Sequence, residues 1–289
     1  MKHAARLLLA SLCLCLGSAA QEGARTGYDP RDAKVTIREI EAVPKEASRR
    51  YAGIFRPGSS GYALWAGADL PSFIARNVDF MKEGLRLTDL STYVENNRLL
   101  LSGVWESGSA RTELFAGLDR DAFGKKWETL SNSGFRLTDL EVSEMDGSLR
   151  YSGIFTEGAD GYYLWMGTDL DGMKEKAREL TALRLTDLSS YSENGVRKYI
   201  GVWREGDGDY ELASGMSWKA LLEKNDELRR RGLYLSDIES YLQDGRQYFS
   251  GVWRTGGSGI RLHGGTWEEF ADKWKDWSNG GQRLFRVTY

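Results

Sequence analysis

One six-residue phrase recurs along this chain of 289 residues. Leu85–Leu90 (LRLTDL), Phe135–Leu140 (FRLTDL), Leu183–Leu188 (LRLTDL) and Leu233–Ile238 (LYLSDI) begin 50, 48 and 50 residues apart. A degenerate copy, Val35–Ile40 (VTIREI), stands 50 residues ahead of the first, and Gln282–Val287 (QRLFRV) begins 49 residues after the last. A period near fifty residues specifies a repeat architecture, in which a unit buries its apolar face only against a neighbour. Residues common to all copies are therefore read as scaffold. Function is sought where the copies differ.

The spacing inside a copy is as constant as the period. Fourteen residues separate the acid of the first strand from the glycine of the second: Glu39 to Gly53, Asp89 to Gly103, Asp139 to Gly153, Asp187 to Gly201, Asp237 to Gly251. Between them lie Asn96-Asn97, Asp146-Gly147, Asn194-Gly195 and Asp244-Gly245, residues that accept the positive φ angles of a two-residue hairpin turn. The second strand closes on Gly-Val-Trp or Gly-Ile-Phe, and a polar loop then leads to a third strand. A segment of helical spacing follows. Thr266 can cap the last of these, with Trp267, Phe270, Trp274 and Trp277 on one stripe, and Trp218, Leu221, Leu222 and Leu228 form the stripe of the one before. Gly84, Gly134, Gly232 and Gly281 end the helices.

Each unit thus reads as β-β-β-α, a meander and a helix that leads onward. In Gly61–Gly67, Tyr62 and Leu64 point one way and Trp65 the other, so the sheet needs cover on both faces. The unit's helix takes one face and a neighbouring unit the other. The expected fold is an α+β repeat protein of five tandem β-β-β-α units arranged as a propeller-like toroid or arc. The repeats run at about 34–84, 85–134, 135–182, 183–232 and 233–281. The closing strand, 282–289, either completes the fifth unit or pairs with the first.

The first twenty residues read as a cleaved signal peptide: Lys2 and Arg6, an apolar stretch Leu7–Gly17, and small residues up to Ala20. Residues 21–33 read as a polar linker. Both cysteines, Cys13 and Cys15, lie in the leader, so the exported chain is stabilised by burial without disulfides. Beyond the leader 37 basic residues face 42 acidic ones, a net charge of −5, with no Lys/Arg-rich run. Nucleic acid and anionic membranes are not indicated as partners. A secreted or periplasmic monomer without a membrane span is expected, its partner an extracellular polypeptide or polysaccharide.

Arg86–Leu90 with Leu101–Trp105, Arg136–Leu140 with Tyr151–Phe155, and Arg184–Leu188 with Tyr199–Trp203 carry a family likeness. This pattern resembles the bacterial tandem repeat family, whose repeat also builds the N-terminal domain of fungal polyglycine hydrolases. The likeness covers nearly all of residues 34–289. It implies a β/α toroid. In those hydrolases a β-lactamase-like domain carries a Ser-x-x-Lys nucleophile, a motif that this sequence lacks, so their activity is not expected here.

Candidate chemistry is sparse. Beyond the leader there is one histidine, His263, and no cysteine, which excludes Ser-His, Cys-His and multi-histidine metal sites by count. His263 is expected to be packed or partly exposed. Asp89, Asp139, Asp187 and Asp237 recur equivalently, whereas acid–base catalysis needs two differently tuned carboxylates at one place. They are expected to accept backbone N–H bonds or to pair with the arginine of their own motif. The acidic loop Glu205–Asp209 lacks the register of known calcium loops. No catalytic residue, metal or cofactor is assigned.

Binding is expected at the loops between second and third strands, which differ in charge and aromatic content: Arg56–Tyr62, Glu106–Thr112, Thr156–Tyr162, Arg204–Tyr210 and Arg254–Ile260. The candidate residues are Arg56, Tyr62, Arg111, Tyr162, Arg204, Asp207, Asp209, Tyr210 and Arg254. The expected function is a secreted, non-catalytic tandem-repeat binding or scaffold protein for a polypeptide or cell-envelope polymer. The alternatives are a peptidase- or glycosidase-like hydrolase with its site in the central channel, or an accessory module of a separately encoded enzyme.

Overall fold

Each copy of the phrase among the described residues becomes a strand, and at four of them the turn pair behind it folds that strand into a hairpin. The computed structural model describes residues 50–289; the leader, the 21–33 segment and the early copy Val35–Ile40 lie outside the described residues. Strand β1 (Tyr51–Pro57) comes first. Then follow β2 (Tyr62–Asp69), α1 (Leu70–Lys82), β3 (Leu85–Glu95) and β4 (Arg98–Ser107). The same order repeats in β5 (Thr112–Leu118), α2 (Arg120–Asn132), β6 (Phe135–Met145) and β7 (Ser148–Glu157). It repeats again in β8 (Tyr162–Thr168), α3 (Leu170–Glu179), β9 (Leu183–Glu193) and β10 (Val196–Glu205). A further round comprises β11 (Tyr210–Met216), α4 (Trp218–Arg230), β12 (Leu233–Gln243) and β13 (Arg246–Thr255). The chain finishes with β14 (Arg261–Gly265), α5 (Trp267–Asn279) and β15 (Gln282–Thr288).

Local chemistry accounts for these elements. Both residues of each turn pair have positive φ, as at Asp146 (52°) and Gly147 (68°), which matches the twist of the strands they join. Asp69, Asp119, Asp169, Ser217 and Thr266 cap the five helices, each side chain accepting a bond from a backbone N–H three residues on. Thr266 and Glu269 complete a reciprocal capping box.

Five units of three antiparallel strands and one helix are present, as the repeats imply. The strand pairing corrects the expected meander. The sheets run β2-β4-β3, β5-β7-β6, β8-β10-β9, β11-β13-β12 and β14-β1-β15. Strand β4 already has a partner on each edge, so β5 finds no place beside it and joins β7 in the next sheet instead. Every unit of the sequence thereby lends one strand to its successor. The last sheet draws on both ends of the described chain, with β1 between β14 and β15. Gly53 opposes Val287 as Gly103 opposes Leu90, so β15 fills the first-strand position of this sheet and closes the ring.

The innermost strands β3, β6, β9, β12 and β15 each touch the next around the axis, and β15 touches β3. Along the middle strand of each blade the faces divide the work. Trp105 packs under Phe73 and Phe80 of α1, while Val104, one residue away, enters the core of the blade containing α5. Ile154, Val202, Val252 and Ile54 enter the preceding blade's core in the same way. The glycine ahead of them admits this crossing. A Cβ on Gly103 would lie 2.7 Å from both Leu87 and Phe73. The α4 stripe is narrower than its sequence suggests: Leu221 and Leu228 are buried, but Leu222 is 38% exposed because it faces away from the sheet.

Trp203→Ala should cost about 3–5 kcal/mol by opening a cavity in a wholly buried site. Asp207→Ala, at an exposed loop, should stay within about 0.5 kcal/mol. Denaturant titration of the two variants checks the order, and the reverse order would contradict this division of core and rim.

Candidate functional site

Closing the ring brings the repeated acids to one axis, where each serves the neighbouring blade. Leu90 N–H donates to Asp139 Oδ2 (3.1 Å), Leu140 N–H to Asp187 Oδ2 (3.1 Å), and Leu188 N–H to Asp237 Oδ2 (2.9 Å). Val287 N–H donates to Asp89 Oδ2 (2.7 Å), which carries the chain of bonds across the closing seam. All four carboxylates are more than nine-tenths buried. The fifth position of the ring holds Arg286. Its guanidinium lies 3.3 Å from Asp89 Oδ1 and 3.2 Å from Asp237 Oδ1, and also donates to Thr88 O (3.2 Å).

This modifies the expected partner of the aspartates. Backbone N–H bonds are made, but to the adjacent blade, and the ion pairs run to Arg286. The motif arginines point elsewhere. Arg86 donates to Ala110 O (3.1 Å), Arg136 to Asp160 O (2.5 Å), Arg184 to Asp207 O (2.7 Å) and Arg283 to Ser60 O (2.6 Å). Each of these arginines staples the loop that connects its blade to the next.

Four acids and one cation leave the axis short of positive charge. Burial pushes Asp139 up to about 7, against the pull of Arg286 and the Leu90 N–H. Asp89, Asp187 and Asp237 are also raised by burial, Asp187 further by Asp139 and Asp237. Two residues along the strands, burial pushes Glu239 up to about 8 and raises Glu141, which Glu239 raises further. Arg286 stays charged because its carboxylate neighbours outweigh its burial. Glu141 and Glu239 face a polar mouth of about 270 Å³ at the turn end of the axis, with Tyr93, Tyr191 and Tyr241 around it.

The other end of the axis opens between the fourth and fifth blades. There the repeat breaks: Tyr234 stands where the other inner strands carry Arg86, Arg136, Arg184 and Arg283. The staple is missing, and the loop 256–259 runs through left-handed backbone at Gly256, Gly257 and Gly259. A cavity of about 450 Å³ lies beneath it, lined by Arg56, Arg184, Arg254, Tyr234, Ser236 and Phe285 among others. Arg254 Nε donates to Ser236 Oγ (2.8 Å). Burial, then Arg286 and Arg184, push Arg254 down to about 10, with Asp237 pulling the other way.

The rim residues read from the sequence fall into several settings. Arg56 and Arg254 come together at this cavity. Asp209 and Tyr210 share a second hollow of about 360 Å³ with Lys174 and Arg178. Tyr62 turns inward, buried beneath Arg283 and bonded to Ser278. Tyr162 likewise meets Ser131 beneath Arg136, and Tyr210 accepts a bond from the Trp203 indole (3.1 Å). Arg204 forks onto Asp160 at 2.7 and 2.5 Å, Arg111 lies over the Phe135 ring, and Asp207 is exposed. His263 is half-buried against Phe270 and Trp277. Sequence reasoning named the Arg254–Ile260 loop that roofs this cavity but missed the parts played by Arg184, Tyr234 and Arg286. A register alignment of the copies carried the signal, with Tyr for Arg at one position and Arg for Asp at another.

The profile of the polyglycine hydrolase-like structural repeat matches residues 60–108, 112–158, 166–206 and 208–255. These are the four contiguous strand–helix–hairpin blades, while the fifth blade is split between the two ends. No curated protein matches the chain with significant similarity.

An acid raised above its unfolded value near 4 binds protons on folding, so its contribution to stability is full at low pH and is lost as pH rises through the folded value. With Asp139 near 7 and Glu239 near 8, the melting temperature should fall between pH 5 and pH 8. Asp139→Asn should flatten that fall; a melting temperature that climbs over the interval would contradict it. Arg286→Met should cost about 3–5 kcal/mol at pH 8 by stranding buried carboxylates. Denaturant titration should show a smaller loss at pH 5, where they take up protons.

Proposed function

Because the chain belongs to the polyglycine hydrolase-like structural-repeat family, across four of its five blades, we propose that it is an exported, non-catalytic binding or scaffold protein. Its ligand is a polypeptide or a cell-envelope polymer held at the loop end of the ring. One observation carries this reading. The carboxylates that four copies supply are taken up by bonds between blades and by Arg286, while the loops diverge and a cavity opens at the blade where Tyr234 replaces the stapling arginine.

A hydrolase in the central channel needs an acid and a base that reach substrate together. Asp89, Asp139, Asp187 and Asp237 are buried and spent on holding blades, which argues against that alternative. Nothing in the geometry favours the accessory-module alternative over simple binding. Export rests on the leader, with cleavage after Ala20.

Residues 21–289 should retain glycine-rich peptides or envelope polysaccharide without releasing products detectable by mass spectrometry. Turnover that disappears in Asp139→Asn, with circular dichroism unchanged, would overturn the non-catalytic reading. Expression with the leader should yield a mature protein whose N-terminal residue, by sequencing, is Gln21.

A further inference from the structure

Three of the middle strands place an arginine directly after the core aromatic: Arg56, Arg204 and Arg254. Arg56 pairs with Glu106, and Arg204 forks onto Asp160. Among the described residues Arg254 makes no ion pair; a serine hydroxyl is its hydrogen-bond partner. Arg184, beside it in the cavity wall, also makes no ion pair and reaches only a backbone carbonyl, Asp207 O. Three guanidinium groups therefore line one recess of about 450 Å³, and among the described residues only that of Arg56 is ion-paired, although Asp237 also attracts Arg254 from the axis side. At four seams a motif arginine pins the connecting loop; Arg184 is one such arginine, through Nη1 to a backbone carbonyl, and it also lines this recess. Here Tyr234 leaves the space open.

We propose that this recess binds the oxyanion end, carboxylate or phosphate, of an organic ligand, with Arg254 and Arg184 as its cationic partners. Like charges confined in a partly enclosed, low-dielectric hollow repel strongly, and an entering anion converts that repulsion into attraction. Guanidinium forks match the paired oxygens of either group. Burial and the neighbouring arginines already lower the Arg254 pKa to about 10, the mark of a cation short of counter-charge. Thr255 adds a hydroxyl beside the arginines, while Ser236, donating to Val252 O (3.0 Å) and accepting from Arg254, holds that guanidinium in place. Pro57, Tyr234, Ile260 and Phe285 supply apolar wall, and Arg56, paired with Glu106, and Ser258 stand at its border. A water-sized solute takes about 30 Å³, so the volume suits an anion attached to a short organic segment better than a bare ion. The proposal goes beyond the binding reading above, for it names the chemistry recognised and holds whether or not the chain is catalytic.

Calorimetric titration of residues 21–289 at low ionic strength tests it, using N-acetylglycylglycine, its C-terminal amide and methyl phosphate. At least one of the two anions should bind saturably, and the amide should not. Preference for the carboxylate identifies a polypeptide end or acidic side chain as the source, and preference for the phosphate identifies a phosphorylated polymer. Arg254→Gln should weaken binding about tenfold or more, the worth of a charged hydrogen bond. Ser258→Glu, on the exposed loop above the recess, should do the same by placing a carboxylate at its opening, and it serves alone if Arg254→Gln does not fold. Lys125→Gln, on the outer face of α2, should change nothing. The proposal is overturned if the amide binds as tightly as the acid, if neither anion saturates by about 10 mM, or if folded Arg254→Gln and Ser258→Glu keep full affinity.

Discussion

Backbone amides reaching across the axis to the aspartates of the next blade hold this ring together. Sheets in the toroid share no hydrogen-bonded ladder with one another among the described residues, so register between blades depends on side chains. Val104 and its counterparts supply apolar contact but little direction. The Asp–amide bond supplies direction, because a slip of one residue would turn the carboxylate away from its N–H donor. Four like charges at one place would undo the benefit unless countered. Arg286, standing in the register position of a fifth aspartate, provides the counter-charge and explains why the last copy departs from the pattern.

Much of the fold was legible in the residues. Turn pairs such as Asp146-Gly147 and caps such as Thr266 act through local backbone chemistry, which is why they read directly. Trp105 and its equivalents announced a core, and the two-faced apolar pattern of Gly61–Gly67 announced cover on both sides. The partner of the third strand did not read. Whether β5 returns along β4 or joins β7 depends on which edges are already taken, and a hairpin's own residues do not encode that. For the closing strand the residues left two places open, and its pairing with β1 is one of them.

The candidate recess was only half visible. Arg56 and Arg254 stood out as charged residues in variable loops, yet Tyr62, Tyr162 and Tyr210 stood out equally and turn inward. What separates them is three-dimensional: the tyrosines lie against helix ends, while the arginines border space left by a missing side chain. Tyr234 was in plain view as a departure from LRLTDL. Its meaning depended on knowing that the arginine it replaces pins a loop, and that role appears only when Arg86, Arg136, Arg184 and Arg283 are seen reaching their carbonyls.

The placement of β15 also imposes an order of events on a chain made from its N-terminus. Asp89, Asp139, Asp187 and Asp237 all emerge from the ribosome before Arg286, the cation among them, and β1 waits without its inner or outer partner until more than 200 residues have followed. Such distant contacts carry the largest loop-closure cost in the molecule. Assembly is therefore completed by one late docking event, and a nascent chain stopped short of residue 282 is an open stack of blades with an acidic inner edge.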